Sequence, residues 1–137
     1  MNILAPSILS ADFKNMQPGL DGIKAGGAEY VHIDVMDGKF VPSISFGMPV
    51  ISSIRSGSDL VFDVHLMIEE PIRYIKEFRE SGADIITVHY EACSDVAATL
   101  KAVREAGCKA GLSIKPKTDV DVVREFLPLC PANPGST

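Results

Sequence analysis

The amino-acid sequence predicts an α/β fold in which parallel β-strands alternate with α-helices. Short apolar runs recur about every 27 residues, which is the length of one strand with its crossover helix. The segments between them carry apolar residues at helical spacing and end at glycine or proline. Because strand–helix–strand crossovers are right-handed, repeated units of this kind predict a parallel sheet that is covered by helices.

Five apolar runs are candidates for strands. They are residues 3–8, 31–35, 61–67, 85–89 and 110–114. Three of the junctions before a strand share one pattern, which is glycine, any residue and a polar residue. These junctions begin at Gly27, Gly82 and Gly107. The quasi-repeat indicates repeated units of one domain rather than a tandem of separate modules.

The helices between the strands have recognisable ends. The first stops at Gly26, the third runs from Pro71 to Gly82, the fourth from Ser94 to Gly107, and the fifth from Asp119 to Pro128. The second helix, residues 49–54, has the weakest pattern and follows a long loop. The pattern therefore predicts one helix after each strand.

The repeat alone permits two architectures. Five units in 137 residues could form a complete doubly wound sheet of the flavodoxin type. They could equally form the first five-eighths of a (β/α)8 barrel, because eight such units need about 215 residues. Strand spacing does not separate the two.

Composition excludes several classes of protein. With 46% hydrophobic and 23% charged residues, the chain has the composition of a globular domain. Its net charge of −5 argues against nucleic-acid binding, which needs a basic surface. The sequence shows no secretory leader, no apolar run of about 18–20 residues and no paired or metal-binding cysteine spacing. We expect a cytoplasmic protein that binds neither nucleic acid nor membranes.

The residues that can carry chemistry concentrate in the predicted strands. All three histidines, His32, His65 and His89, lie within or at the end of a strand. The carboxyl ends of parallel strands lie on one side of the fold, where active sites are built. Because strand side chains alternate, Asp34 and Met36 share a face with His32.

The third predicted strand repeats this arrangement, with Asp63, His65 and Met67 on one face. A buried carboxylate is costly unless it is paired or bound to a metal. Two imidazoles and a carboxylate from adjacent strands match three ligands of a zinc-type or iron-type catalytic site.

Other polar residues are placed to join this site. The hydroxyl of Ser7, in the first predicted strand, could reach the same side of the fold. The loop of residues 37–47 is long for a strand–helix connection, which favours a lid that covers substrate. His89 and Glu91 could form a further polar pair, although a structural role explains them at least as well.

Four segments of the sequence carry a family resemblance. They are LAPSILSADF at residues 4–13, VHIDVMDGKFVPSISFG at 31–47, DVHLMIEEP at 63–71 and TVHYEA at 87–92. All four closely resemble segments of ribulose-phosphate 3-epimerases. The resemblance extends over residues 2–127 and implies a TIM barrel, here a partial barrel of about five βα units. It also implies a carbohydrate epimerase of the pentose-phosphate pathway. Such an isomerase interconverts D-ribulose 5-phosphate and D-xylulose 5-phosphate by removing and returning the C3 proton.

The resemblance implies roles for individual residues. His32, Asp34 and His65 match three of four ligands of a divalent metal ion, which would be zinc, iron, manganese or cobalt. Asp34 also matches one of two acid/base carboxylates. The residues that match substrate contacts are Ser7, His65, Met36 and Met67.

The family's second aspartate and its phosphate-binding loops lie on later strands, which this sequence does not match. We therefore expect a truncated partial barrel over residues 1–127 and an irregular proline-rich tail over 128–137. Unpaired edge strands predict self-association, and the missing groups predict impaired activity. The alternatives are a non-catalytic metal-binding or interaction fragment, a sister epimerase acting on a hexulose 6-phosphate, or a flavodoxin-like domain.

Overall fold

The computed structural model describes residues 2–130, in which parallel strands alternate with helices as predicted. The described strands form one sheet in the order of the chain: β1 (Tyr30–Met36), β2 (Val61–Met67), β3 (Ile85–His89) and β4 (Lys109–Ser113). The α-helices are α1 (Met16–Ala25), α2 (Met48–Arg55), α3 (Ile75–Ser81) and α4 (Val96–Glu105). Segments of 3-10 helix span Ile8–Ser10, Pro71–Tyr74, Tyr90–Ala92 and Val120–Leu129.

The N-terminal segment lies beside β1 but is not a regular strand, so the prediction of a strand over residues 3–8 is wrong in this respect. The carbonyl of Pro6 accepts a hydrogen bond from His32 N at 2.9 Å, and a single parallel bridge joins Ser7 to His32. Proline has no N–H to continue the ladder. Ser7 then caps the first 3-10 turn, because its hydroxyl oxygen accepts from Leu9 N at 3.2 Å.

The two faces of the sheet differ in burial, as the alternation in the sequence predicts. In β1 and β2 every second side chain is buried under the helices, and these residues are Val31, Ile33, Val35, Phe62, Val64 and Leu66. Fully buried residues of the helices, such as Ile51 and Leu100, complete this core. The opposite face is half-buried and carries the polar residues of β1 and β2. The candidate site residues of β1 and β2 therefore lie on the face that the helices do not cover.

Glycine ends the third helix as predicted. The backbone of Gly82 has φ 120°, a region that favours glycine, and a Cβ at this position would collide with the side chain of Arg55. This helix begins as the 3-10 turn Pro71–Tyr74 before it continues as α3. At α4, Asp95 caps the first turn by accepting from Ala98 N at 2.9 Å.

The fifth predicted helix is a 3-10 segment, Val120–Leu129, so the predicted α-helix is wrong in type. Asp119 is the N-cap as expected. Pro128 was expected to end the helix, but it lies inside the segment, which continues to Leu129. None of its residues is buried, so little apolar packing supports α-helical geometry there.

The predicted boundary at residue 127 stays a prediction. Residues 131–137, which form most of the predicted irregular tail, lie outside the described residues, as does Met1. None of the helices described within residues 2–130 combines the length and apolar character that a membrane span requires.

Candidate metal centre

The register between β1 and β2 places a histidine opposite an aspartate twice. His32 lies opposite Asp63, and Asp34 lies opposite His65. His32 contacts both carboxylates, with Nδ1 at 2.8 Å from Asp63 Oδ2 and Nε2 at 3.1 Å from Asp34 Oδ1. His65 Nδ1 lies 3.4 Å from the same oxygen of Asp34. One carboxylate oxygen therefore lies between the two imidazoles.

Two serines hold Asp34 in place. The Ser7 hydroxyl donates to Asp34 Oδ2 at 2.5 Å, which is the contact that brings the N-terminal segment into the site. The Ser45 hydroxyl donates to the main-chain carbonyl of Asp34 at 2.8 Å and accepts from Met36 N at 3.0 Å. The hydroxyl of Ser7 thus leaves Asp34 Oδ1 to the two histidines.

The donor set fits a divalent metal ion. His32, Asp34 and His65 each offer one ligand atom, and these atoms lie within 4.8 Å of one another. Two imidazole nitrogens and one carboxylate oxygen are donors that zinc and neighbouring transition metals accept. Within residues 2–130, this is the one group of three or more such side chains whose ligand atoms lie close enough to share an ion.

The local environment shifts the histidine pKa values in opposite directions. The hydrogen bond that His32 donates to Asp63 raises the pKa of His32, even though burial opposes it. Burial lowers the pKa of His65, and the neighbouring charge of His32 adds to this effect. The neutral form that a metal ligand needs is therefore favoured at His65 and disfavoured at His32.

The predicted methionines lie at the same end of β1 and β2. Met36 and Met67 are register partners, two residues beyond Asp34 and His65 on the half-buried face. This arrangement places two polarisable, apolar side chains beside the polar cluster.

The third histidine joins the cluster from β3. His89 Nε2 lies 2.8 Å from His65 Nε2, and the two rings stack with centroids 4.9 Å apart. The sequence indicated a polar pair of His89 with Glu91 but not the contact with His65. The sequence also placed Asp63 on the correct face of the strand, but it did not indicate the contact of Asp63 with His32. The parallel order of adjacent strands indicates that each pair lies on neighbouring strands, but it does not specify the contact itself.

The loop of residues 37–47 borders the cluster. The Asp37 carboxylate accepts from Lys39 N and Phe40 N, both at 2.8 Å. The ring of Phe40 lies 5.0 Å from the ring of His89, and Lys115 Nζ lies 3.9 Å from the Phe40 ring centre. The loop is therefore held by its own hydrogen bonds and contacts His89 through Phe40.

Fold and site together define a parallel α/β protein with a His–Asp–His cluster, on the uncovered face of its sheet, that could hold a metal ion. A comparison with family models matches residues 3–132 to the ribulose-phosphate 3 epimerase family, and the chain belongs to that family. The family is a TIM barrel, so the described sheet is part of a barrel and not a doubly wound sheet.

Individual relatives support the assignment to this family. The chain is 46% identical over 138 residues to "Ribulose-phosphate 3-epimerase" of Bacillus subtilis (strain 168), covering 96% of this chain and 64% of the relative. It is also 46% identical to "Ribulose-phosphate 3-epimerase" of Treponema pallidum (strain Nichols), covering 91% and 57%. The chain thus spans about three-fifths of the length of these relatives.

Solved structures with a similar fold include 7,8-dihydropteroate synthase from Vibrio fischeri ES114, with a TM-score of 0.53 and 18% identity, over 93% of this chain and 52% of that one. At this identity the likeness is one of fold alone.

Proposed function

We propose that the chain supplies the metal ligands and one acid/base carboxylate of an epimerase that interconverts D-ribulose 5-phosphate and D-xylulose 5-phosphate. The observation that carries this proposal is the cluster of His32, Asp34 and His65, whose ligand atoms lie within 4.8 Å of one another in a chain of this family. The C3 proton of the substrate is alpha to a carbonyl, so its removal needs a base and a way to stabilise the resulting negative charge.

His32, Asp34 and His65 would hold a divalent ion, which would act as a Lewis acid toward the developing charge. Zinc, iron, manganese and cobalt are all compatible with a donor set of two nitrogens and one oxygen.

Asp34 is the proposed base for the C3 proton. Its Oδ2 accepts from the Ser7 hydroxyl at 2.5 Å, which fixes the plane of the carboxylate, and Ser7 is also a proposed substrate contact. Met36 and Met67 would border the reacting carbon with apolar surface and so exclude water. His65 would serve both as a ligand and as a substrate contact.

Proton transfer on one face of the substrate does not complete an epimerisation. Inversion at C3 needs a proton removed from one face and another delivered to the opposite face. Within residues 2–130, the carboxylates that contact His32 are Asp34 and Asp63, which project from adjacent strands on the same face of the sheet. We therefore expect a polypeptide of these 137 residues to exchange the C3 proton faster than it inverts C3.

The experiment follows the substrate in deuterated water. The metal-loaded polypeptide is incubated with D-ribulose 5-phosphate, and NMR measures deuterium at C3 and formation of D-xylulose 5-phosphate. We expect exchange to exceed inversion. Exchange should be lost in Asp34→Asn. It should be retained in the control Asp59→Asn, which removes an exposed carboxylate that pairs with Lys24.

Three outcomes would contradict parts of the proposal. Exchange no faster than in Asp34→Asn would leave a metal-binding protein without catalysis. Inversion at the rate of a full-length relative would overturn the one-face argument. Faster exchange of a hexulose 6-phosphate than of the pentulose would change the substrate.

We also propose that copies of this chain self-associate. Within the described residues, β4 has a strand neighbour on one side only, and large apolar side chains are exposed at Leu4, Ile44, Val120 and Leu127. Open edges and exposed apolar surface favour association. Sedimentation velocity over a concentration series should show an oligomer, and a monomer at every concentration would contradict this.

The proposed location is the cytoplasm. The free cysteines Cys93, Cys108 and Cys130 suit a reducing compartment. Fractionation of cells expressing the protein tests this, and recovery outside the cytoplasmic fraction would contradict it.

A further inference from the structure

We infer that His89 and Glu91 are positioning residues that hold the proton of His65 on Nε2, so that the His65 Nδ1 lone pair faces Asp34 and His32. The inference rests on the proposed metal site, and it gives roles to two residues outside the ligand set. It is carried by the geometry of a chain of contacts that runs from Glu91 through His89 to His65.

The first link is the contact between the two imidazoles. His65 Nε2 and His89 Nε2 lie 2.8 Å apart, which is a hydrogen-bond distance. One proton must lie between them, so one ring donates and the other accepts. If His65 donates, its Nδ1 is left with a lone pair. If His89 donates, a neutral His65 carries its proton on Nδ1 and cannot bind a metal through that atom.

Glu91 selects between these two arrangements. Its Oε2 lies 3.6 Å from His89 Nδ1, too far for a direct hydrogen bond but close enough for a carboxylate to favour an N–H there over a lone pair. His89 Nδ1 is buried and has no hydrogen-bond partner of its own. A proton on His89 Nδ1 leaves His89 Nε2 as the acceptor, and His65 Nε2 as the donor.

The carboxylate of Glu91 is itself held in place. Its Oε1 accepts from Lys115 N at 2.6 Å and from the hydroxyl of Thr118. Burial acts to raise the pKa of Glu91, but the bonds from Thr118 and Lys115 act against it and the net pKa is lowered, which favours the carboxylate form. The other oxygen is thereby directed toward His89, and the loop after β4 is tied to the chain of contacts.

The two proposed histidine ligands then have matching surroundings. His32 uses Nδ1 for Asp63 and directs Nε2 to Asp34 Oδ1. His65 uses Nε2 for His89 and directs Nδ1 to the same oxygen, at 3.4 Å. Each ring is held from outside by one nitrogen and offers the other to the centre, which is how outer groups orient metal-binding histidines.

The test reads the tautomer of His65 directly. The metal-free chain is labelled with 15N, and NMR distinguishes the protonated from the unprotonated ring nitrogens, with His65→Asn used for assignment. In Glu91→Gln, the amide oxygen can still accept from Lys115 N while the NH2 group faces His89 Nδ1. We expect the proton of His65 to move from Nε2 to Nδ1, and the affinity for Co2+ to fall about 10- to 100-fold.

A matched control separates this effect from the loss of a carboxylate in general. Glu70 accepts from Ser94 N at 2.7 Å and contacts no histidine among the described residues, so Glu70→Gln should leave both the tautomer and the Co2+ affinity unchanged. A second pair of variants acts on the imidazole. His89→Phe removes the acceptor and should weaken Co2+ binding, whereas His89→Gln offers an amide oxygen to His65 Nε2–H and should restore most of the affinity.

The positioning role is wrong if His65 keeps its proton on Nε2 and its Co2+ affinity stays within about twofold in both Glu91→Gln and His89→Phe. It is also wrong if His89→Gln binds Co2+ as weakly as His89→Phe. Because the tautomer is read without metal, the two proposals can fail separately. A wild-type chain that binds no Co2+ overturns the metal site, while a reversed tautomer in Glu91→Gln still supports the positioning role.

Discussion

Removing the carboxylate of Asp63 should weaken metal binding, because Asp63 holds His32 from outside the ligand set. Asp63 Oδ2 lies 2.8 Å from His32 Nδ1, and the exposed fractions of these side chains are only 19% and 26%. A hydrogen bond to a charged group contributes about 1.5–3 kcal/mol, and about 1.4 kcal/mol corresponds to a tenfold change in affinity. Asp63→Ala should therefore bind Co2+ about 10- to 100-fold more weakly.

The deficit should depend on pH with a defined sign. The hydrogen bond to Asp63 is the largest cause of the raised His32 pKa, so in the wild-type chain the metal must displace a proton from His32 below that pKa. Without Asp63 this pKa falls, and proton competition in acid becomes weaker in the variant. The ratio of wild-type to variant affinity should thus be larger at about pH 8 than at about pH 6, on either side of the ordinary imidazole pKa of about 6.5.

The assay is a Co2+ titration followed by visible absorption at both pH values. Asp63→Asn keeps an oxygen acceptor for His32 Nδ1 and should lie between the wild type and Asp63→Ala. Asp59→Ala removes an exposed carboxylate that pairs with Lys24 and serves as the control. Equal affinities of wild type and Asp63→Ala at about pH 8, or a deficit that grows toward acid, would refute the reasoning.

Three further predictions concern activity and stability. Ser7→Ala should slow C3 proton exchange about tenfold, because Asp34 loses one hydrogen bond, and Co2+ affinity should change less than about threefold. An unchanged rate of exchange would contradict the role of Ser7. Leu100→Ala should lower the free energy of unfolding by about 2–5 kcal/mol in urea denaturation, because Leu100 is fully buried. Arg55→Met should lower it by about 2–4 kcal/mol, because the guanidinium donates four hydrogen bonds at the start of β2 and β3, and Co2+ affinity should not change.

The strands could be predicted because burial selects short apolar runs, and in β1 and β2 buried and half-buried side chains alternate strictly. The predicted run 31–35 lies within Tyr30–Met36, and the runs 61–67 and 85–89 match β2 and β3. The N-terminal run failed as a strand because Pro6 removes a donor, and the fifth helix failed in type because none of its residues is buried. Apolar periodicity reports burial well, but it does not report which hydrogen bonds a marginal segment completes.

The site could be predicted only as far as single strands allow. The alternation places His32 and Asp34 on one face, but the contact of His32 with Asp63 depends on the register between two strands. A shift of one residue would place Asp63 on the other face of the sheet. The contact between His65 and His89 depends in addition on side-chain rotamers, which a sequence pattern does not specify.

The polar groups at the two ends of the sheet have different kinds of partner, which are backbone groups at one end and other side chains at the other. At the start of β2 and β3, Asp84 Oδ2 accepts from Phe62 N at 2.9 Å and from Arg55 at 3.1 Å, so the polar groups there fasten the backbone. Toward the other end, the polar groups face one another and leave a buried nitrogen of His89 without a partner. The hydrogen-bond network of Arg55 and the histidine–aspartate cluster share no residue, so substitutions in the two should act independently. The double variant Arg55→Met with Asp63→Ala should lose the stability that Arg55→Met loses and the Co2+ affinity that Asp63→Ala loses, each within about 0.5 kcal/mol. A larger interaction energy would mean that the site depends on the stability of the whole sheet.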